Sequence, residues 1–216
     1  RGLEVERATV RIPAVEARME RIDGRRVAYV QLFTFSRGAH GELREAIDGL
    51  LADGAEGIVL DLRGNGGGLL DEAVLTASIF QVSGPVVTIE GRARAAQTLE
   101  AAGRAIDPLP PLAVLVDRNT ASASEIVAAS IGQNDLGTVV GERTFGKGVF
   151  QEVIELEAGG ALDLTVGEYL TSDGSSILGK GVEPDVDVTD RNGPEGGDEV
   201  LDAGLREVAA ELRRSR

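Results

Sequence analysis

The chain has 216 residues, of which 42% are hydrophobic, and this is enough to bury one sizeable core. Its formal net charge of −14 argues against nonspecific binding to nucleic acid or to an anionic membrane, because both depend on clustered Lys and Arg side chains. The sequence has no Cys and a single His, His40, which excludes disulfides, thiol catalysis, Cys-ligated zinc and multi-His metal sites.

The first part of the sequence begins with strand patterns and then becomes helical. Alternating and β-branched residues predict strands at 3–12 and 26–35, separated by PAVEARMERIDG, in which Asp-Gly indicates a turn. Apolar residues near helical spacing then predict a helix over 40–54 that ends at Gly54.

In the rest of the chain, strands alternate with helices. The predicted strands are 58–62, 84–93, 112–116, 138–142, 150–156 and 161–171, and the predicted helices are 69–80, 121–135 and 199–212. The segment that follows 84–93, up to Pro108, has no clear pattern, and 174–188 is predicted to be a loop with a short strand. This alternation predicts an α/β domain with a largely buried sheet and with site-bearing loops at strand ends. No run of about 18 apolar residues occurs, so no transmembrane helix is predicted.

The stretch GERTFGKG, residues 141–148, has the Gly and Lys spacing of a phosphate-binding loop. In such a loop the Lys is followed by Ser or Thr, which ligates magnesium, and then by a helix. Here Gly148 follows Lys147, and the next residues alternate as in a strand. Phosphate binding is therefore not expected, and Lys147 either has another function or is a solvated charge on a hairpin loop.

Two predicted strand-to-helix loops offer backbone N–H groups at helix N-termini: GNGGG at 64–68 and NTASASE at 119–125. Such donors suit an oxyanion, but each loop also has a structural explanation. The string from Ser122 to Glu125 fits a capping box, and the glycines fit a tight turn between a strand and a helix. On spacing alone, a capping role for Ser122 is favoured over a catalytic one.

Four motifs nevertheless occur together and in order: DLRGNGGGLLDEA, TASASEI, GERTFGKGVFQ and GSSILGKGVEPDV. With this combination, over residues 10–190, the chain resembles the carboxyl-terminal processing peptidases, also called tail-specific proteases. These are serine peptidases that use a Ser-Lys dyad in place of a His-containing triad. The resemblance implies an α/β fold, a crotonase/Clp-protease-like core of mixed β-sheets with helices, in which strand-loop-helix units carry the active site.

The resemblance also implies the roles of individual residues. Ser122 is the expected nucleophile, Lys147 the base, and Gln151 a residue that assists the base; a strand would place Lys147 and Gln151 on the same side of the chain. The expected oxyanion donors are the backbone N–H groups of Ala123 and of a glycine in the GNGGG loop, Gly67. A lysine accepts a proton from serine only when its amine is neutral, so Lys147 is expected to be desolvated by apolar walls. No metal or cofactor is required.

The implied function is that of a serine endopeptidase that cleaves flexible or C-terminal tails of proteins through an acyl-enzyme. The expected partners are polypeptides with flexible tails; nucleic acid and direct membrane insertion are not expected, and the sequence does not indicate an oligomeric state. The resemblance implies an extracytoplasmic location, periplasmic or in the cell envelope. Residues 1–190 are expected to form the catalytic core, and 191–216 a polar link and a C-terminal helix packed on or near it.

The chain departs from the family pattern at three points. The family usually has Pro where this chain has Gly66, which loosens the loop, and commonly has Gln-Asp at Gly132-Gln133, so a carboxylate that supports the site is missing. Members usually carry a PDZ module just before the strand that resembles residues 8–12, and nothing of that length precedes it here. The chain is therefore expected to be an excised catalytic core or a trimmed variant.

Two other functions stay open at this point. A non-catalytic binding domain of the same fold, like the retinoid-binding repeats that resemble these peptidases, would be free to lose Ser122 or Lys147, and both are present. A crotonase-like acyl-CoA enzyme would use glycine-loop amides for an oxyanion, but it would not need a Ser-Lys pair and should show basic residues for the CoA phosphates. An unreactive Ser122 would favour either alternative.

Overall fold

The computed structural model describes residues 13–92, 94–156, 159–191 and 197–214. Within them the chain forms two β-sheets and four α-helices, which confirms the predicted α/β core of mixed sheets and helices. The elements in chain order are β1 (Val15–Ile22), β2 (Arg25–Leu32), α1 (Ala39–Ala52), β3 (Gly57–Asp61), α2 (Leu70–Ala77), β4 (Pro85–Gly91), β5 (Arg94–Glu100), β6 (Leu112–Val116), α3 (Ala123–Gln133), β7 (Thr138–Gly141), β8 (Val149–Glu155), β9 (Ala161–Thr171), β10 (Val186–Asp187) and α4 (Glu199–Arg214).

The larger sheet has the strand order β1-β2-β3-β6-β7-β10. Only β1 is antiparallel to its neighbour, and the other adjacent pairs are parallel. Every residue of β3 and β6 is buried, as expected for parallel strands that are covered on both faces. A two-residue turn joins β1 to β2, and both of its residues, Asp23 and Gly24, have positive φ, as a type I′ hairpin requires.

Helices cover both faces of the larger sheet. Leu43 and Ile47 of α1 and Val127 of α3 pack into the main apolar cluster on one face. On the other face, Leu205 and Val208 of α4 pack against side chains of β2, β3, β6 and β7. The C-terminal helix therefore belongs to the same packed unit as the sheet, although part of the predicted link before it, residues 192–196, lies outside the described residues. None of the described helices is both long enough and apolar enough to span a bilayer.

The smaller sheet is antiparallel and has the order β5-β4-β9-β8. It packs on the two central helices through a small cluster that joins Val86 and Val87 of β4 and Tyr169 of β9 to Ala77 of α2 and Ile126 of α3. This arrangement places the start of β8, and the loop that precedes it, beside the N-terminal end of α3.

Most of the predicted elements are confirmed, and the errors fall on edge strands. The predicted strand at 3–12 lies outside the described residues. The stretch 13–24, predicted to separate two strands, contains β1, and the unassigned stretch before Pro108 contains β5. Both β1 and β5 lie at sheet edges and are rich in exposed polar residues, so neither shows the apolar pattern that reveals a buried strand.

Candidate active site

Three loops meet at one edge of the larger sheet. Because β3, β6 and β7 are parallel neighbours, their C-terminal ends lie side by side, and the segments that follow them converge there. These segments are the glycine loop at 62–69, the serine turn at 117–122 and the lysine loop at 142–148. Residues that are far apart in the sequence are brought together by this topology.

Ser122 adopts a strained backbone conformation at the start of α3. Its φ of 58° and ψ of −118° lie in a region that L-residues seldom occupy, and the residue is nearly buried, with 9% exposure. A strained strand-to-helix turn of this kind also presents the nucleophilic serine in α/β-hydrolases. Such strain persists only where the surrounding contacts fix the backbone.

The glycine loop is fixed to the serine turn by Asn65, which is fully buried. Its Nδ2 donates to the carbonyl of Leu32 at 2.7 Å, and its Oδ1 accepts from the N–H of Gly67 at 2.9 Å. Its backbone carbonyl accepts from the N–H of Ala121 at 3.0 Å and from the Ser124 hydroxyl at 2.9 Å. One asparagine therefore connects the end of β2, the glycine loop and the serine turn.

Gly67 lies in direct contact with the turn. A Cβ at this position would stand 2.8 Å from the carbonyl oxygen of Ala121, 2.9 Å from Cβ of Ser122 and 3.1 Å from the nitrogen of Ala123, and its φ is +102°. The N–H of Ala123 has no acceptor among the described residues, as expected for the first residue of a helix. The N–H of Gly67, by contrast, already donates to Asn65.

Asp117 forms a second connection between the glycine loop and the serine turn. Its Oδ1 accepts from the N–H of Gly64 at 2.9 Å, of Asn119 at 3.0 Å and of Thr120 at 2.9 Å. Burial raises the pKa of Asp117, but these hydrogen bonds to the charged form outweigh it, so the pKa is lowered from its ordinary value. The aspartate is thus anionic and holds the two loops in register.

The lysine loop is attached to the serine turn through its backbone. The carboxylate of Glu125, which is fully buried, accepts at Oε2 from the N–H of Ser122 at 2.8 Å and from the N–H of Lys147 at 2.9 Å. The bond to Ser122 is the part of a capping box that the sequence predicts. The bond to Lys147 brings the two predicted dyad residues to a single oxygen atom.

The side chains of Lys147 and Gln151 are both exposed. The expectation that Lys147 is desolvated is therefore wrong for this structure, because the backbone N–H of Lys147 points inward to Glu125 while its side chain is in solvent. Gln151 lies in the edge strand β8, where the pairing shifts register between Phe150 and Gln151. Lys147 lies in the loop before β8, and the register shift lies between it and Gln151. The regular strand alternation that was expected to place the two side chains on the same side therefore does not connect them. The catalytic roles of both residues stay predictions.

Two further residues that the sequence singled out have other contacts. His40 lies in the first turn of α1, where its Nδ1 is 2.7 Å from Oε2 of the buried Glu72. Gln133, at the position where the family commonly has Asp, ends α3 and hydrogen-bonds through its amide to the hydroxyls of Thr171 and Ser172. Neither side chain hydrogen-bonds to the three loops within the described residues.

The sequence did not identify Asn65, Asp117 or Thr144 as parts of the site, and it identified Glu125 only as a cap. A polar residue inside a glycine run is a weak signal for Asn65, and Asp117 followed by Asn119 and Thr120 is a pattern typical of an Asx turn. The long-range hydrogen bonds that give these residues their roles have no local sequence signature.

Comparisons with a family profile and with the sequences of known proteins agree on the family that this chain resembles. Residues 26–188 match the sequence profile of peptidase family S41. A chloroplastic C-terminal processing peptidase of Tetradesmus obliquus is 40% identical over 160 residues, which are 74% of this chain and 34% of the relative. The carboxy-terminal processing protease CtpA of Bacillus subtilis (strain 168) is 35% identical over 185 residues, 85% of this chain and 39% of the relative. The chain thus spans little more than a third of either relative.

A solved structure, that of a photosystem II D1 C-terminal processing protease, has the same fold. It superposes with a TM-score of 0.77 at 34% identity and covers 93% of this chain and 53% of the matched chain. The match covers most of this chain and is consistent with the predicted crotonase/Clp-protease-like core.

Proposed function

Because the chain belongs to peptidase family S41, we propose that it is the catalytic part of a serine endopeptidase that cleaves flexible or C-terminal tails of proteins. The observation that carries the proposal is the strained turn of Ser122, against which the glycine loop and the lysine loop are held by buried hydrogen bonds. A helix cap alone does not require a strained residue or two further loops fixed to it.

In the proposed reaction, Ser122 Oγ attacks the carbonyl carbon of the substrate peptide bond while its proton passes to the neutral amine of Lys147. The resulting oxyanion accepts a hydrogen bond from the N–H of Ala123, and each such donor contributes on the order of 3 kcal/mol. The N–H of Gly67 is the second proposed donor, and it has to leave the side-chain oxygen of Asn65 to reach the oxyanion. Lys147 then protonates the leaving amine. A water molecule, deprotonated by Lys147, attacks the acyl carbonyl carbon, and the ester bond to Ser122 Oγ breaks as Lys147 returns the proton to that oxygen. Gln151 orients the lysine through its side-chain amide.

The surface around the site suits an extended, partly apolar polypeptide. Large apolar side chains are exposed in or beside the converging loops: Phe33, Leu69, Phe145 and Leu178. We therefore propose unfolded tails with small apolar residues near the cut as substrates, because such a chain can lie against these side chains without first unfolding. An extracytoplasmic location completes the proposal and rests on the family resemblance alone.

The decisive experiment is labelling with a serine-reactive electrophile, with the modified residue identified by peptide mass. The expected result is modification of Ser122 in the wild type and none in Ser122→Ala. Ser124, two residues away, is an internal control, because its hydroxyl is buried and donates to the carbonyl of Asn65.

The second candidate is a non-catalytic binding domain of the same fold. Two observations favour it: the side chain of Lys147 is exposed, and the N–H of Gly67 is already bonded to Asn65. If Ser122 stays unmodified while the chain is folded and still binds unstructured polypeptide, the binding function is supported and the peptidase is rejected.

A further inference from the structure

The carboxylate of Glu125 accepts more hydrogen bonds than a helix cap requires. Oε1 accepts from the hydroxyl of Thr144 at 2.5 Å and from the N–H of Gly146 at 2.7 Å. Oε2 accepts from the N–H of Ser122 at 2.8 Å and from the N–H of Lys147 at 2.9 Å. Each oxygen therefore has two donors, although the carboxylate forms no ion pair with a described residue.

Three of these four donors belong to the lysine loop, 19 to 22 positions further along the chain. A capping box needs only the bond to Ser122. Burying a carboxylate without a cation is costly, and it is tolerated here because all four hydrogen bonds are made to the charged group. The lysine loop is thus folded around Glu125, and the loop and the serine turn are held by one rigid group.

Thr144 extends this connection to the segment that follows β9. Its hydroxyl donates to Glu125 and accepts from the N–H of Val182 at 2.7 Å, and its own N–H donates to the carbonyl of Val182 at 3.1 Å. The lysine loop therefore has fixed backbone positions on both of its sides, while the side chain of Lys147 is exposed.

We infer that Glu125 is a positioning residue for the proposed reaction: its carboxylate fixes the backbone of Lys147 relative to that of Ser122 and thereby sets where the amine can meet the hydroxyl. This inference rests on the proposed function. A long side chain reaches a defined point only from an anchored backbone, and an error of about 1 Å in the placement of a reacting group lowers a rate by about 100-fold.

The principal variant is Glu125→Gln, which keeps the shape of the side chain. The amide has one acceptor oxygen, so in either orientation two of the four donors face an NH2 group instead of an acceptor. We expect the rate constant for electrophile labelling of Ser122 to fall by about 100-fold. Thr144→Val removes one donor to Glu125 and the acceptor of the Val182 N–H, and it nearly preserves the volume of the side chain, so it should lower the same rate constant by about 10-fold.

Glu72→Gln is the matched control. Glu72 is also buried, and its carboxylate also accepts several hydrogen bonds, from the N–H of Gly38, the N–H of His40 and the His40 ring. It contacts none of the three loops through these bonds. In Glu72→Gln the rate constant for labelling of Ser122 should stay within about twofold of the wild type, even if the thermal stability of the variant falls.

The rate constant for labelling of Ser122 distinguishes a positioning role of Glu125 from a purely structural one. A purely structural role would lower the melting temperature or the fraction of molecules that can be labelled, and it would leave the rate constant of the folded fraction unchanged. A positioning role lowers that rate constant, and it also exposes the amides of Gly146 and Lys147 to hydrogen exchange while those of β3 and β6 stay protected.

Each outcome decides the matter. A wild type that is labelled at Ser122, with Glu125→Gln labelled at the same rate constant, overturns the positioning role and leaves the proposed function standing. A folded wild type that is never labelled overturns the proposed function and the positioning role together. If Glu125→Gln does not fold, Thr144→Val decides alone: a rate constant equal to that of the wild type rejects the inference, and a reduced one supports it.

Discussion

Replacing Gly67 by Ala should damage the site far more than the fold. The new Cβ would stand 2.8 Å from the carbonyl oxygen of Ala121, 2.9 Å from Cβ of Ser122 and 3.1 Å from the nitrogen of Ala123. Atoms this close must move apart by several tenths of an ångström, and two of the three contacted atoms are backbone while the third is a Cβ, so none belongs to the mobile end of a long side chain. The φ of +102° adds a conformational penalty, so we expect the free energy of unfolding to fall by about 1–3 kcal/mol.

The loss of activity should be larger, because the three contacts are atoms of the serine turn and of Ala123, the first residue of α3. Displacing Ala123 moves the predicted oxyanion donor, and loss of one such donor lowers rates by about 100- to 1000-fold. An unfolding penalty of about 1–3 kcal/mol still leaves a domain of ordinary stability, about 5–15 kcal/mol, folded. The variant should therefore melt as a folded protein and react at Ser122 about 100-fold more slowly.

Gly66→Ala is the control from the neighbouring position. No atom lies within 4 Å of a Cβ built there, and its φ is not in the left-handed region, so the change should alter stability by no more than about 0.5 kcal/mol. Urea denaturation gives the stability of both variants, and electrophile labelling gives the rate at Ser122. If Gly67→Ala and Gly66→Ala react at equal rates, the close contact of Gly67 with the serine turn does not contribute to the reactivity of Ser122.

Further predictions concern the dyad, pH and substrate. Ser122→Ala and Lys147→Ala should each abolish peptidase activity, with the double variant no worse, and turnover by Lys147→Ala would reject the dyad. If a neutral amine is the base, the rate should rise between about pH 6 and about pH 10, and a flat profile for the folded, saturated enzyme would contradict this. Because the pKa of Asp117 is lowered in the fold, its charged form stabilises the protein above the unfolded pKa, near 3.8, and this contribution is lost as the pH falls from there through the folded pKa. The difference in the free energy of unfolding between wild type and Asp117→Asn, measured by urea denaturation, should thus shrink in acid. A constant difference would contradict the lowered pKa of Asp117. Peptide libraries should show cleavage beside small apolar residues, and a preference for charged residues would exclude the proposed substrates.

The fold was predictable where the sequence has to bury strands. The runs that become β3 and β6 are continuously apolar because both faces of these strands are covered, and each is followed by a helix with its own apolar stripe. The edge strands β1 and β5 have solvent on at least one side and expose many polar residues, so their composition does not identify them as strands. Only pairing with β2 and β4, which depends on the assembled sheet, makes them strands.

The site was predictable where a short motif carries the chemistry, and not where distant residues meet. Ser122 and Glu125 are three positions apart, so the cap between them can be inferred from local spacing. The bonds from Asn65 to the serine turn and from the lysine loop to Glu125 join segments that only the parallel order of β3, β6 and β7 makes adjacent. The occupied N–H of Gly67 likewise follows from where Asn65 lies, which no spacing reveals.

Because the side chain of Lys147 is exposed, the fold alone does not remove water from its amine, as the proposed chemistry requires. A protonated amine in water cannot act as a base, and removing water from around an ammonium favours the loss of its proton. In this structure the backbone of Lys147 is fixed by Glu125 but its side chain is in solvent, so the fold supplies the position and not the apolar walls. The side chains of Phe145 and Leu178, in the same region, are exposed as well. If Lys147 is the base, a polypeptide bound across them would exclude water from its amine, and a substrate too short to cover these side chains should bind without being cleaved efficiently.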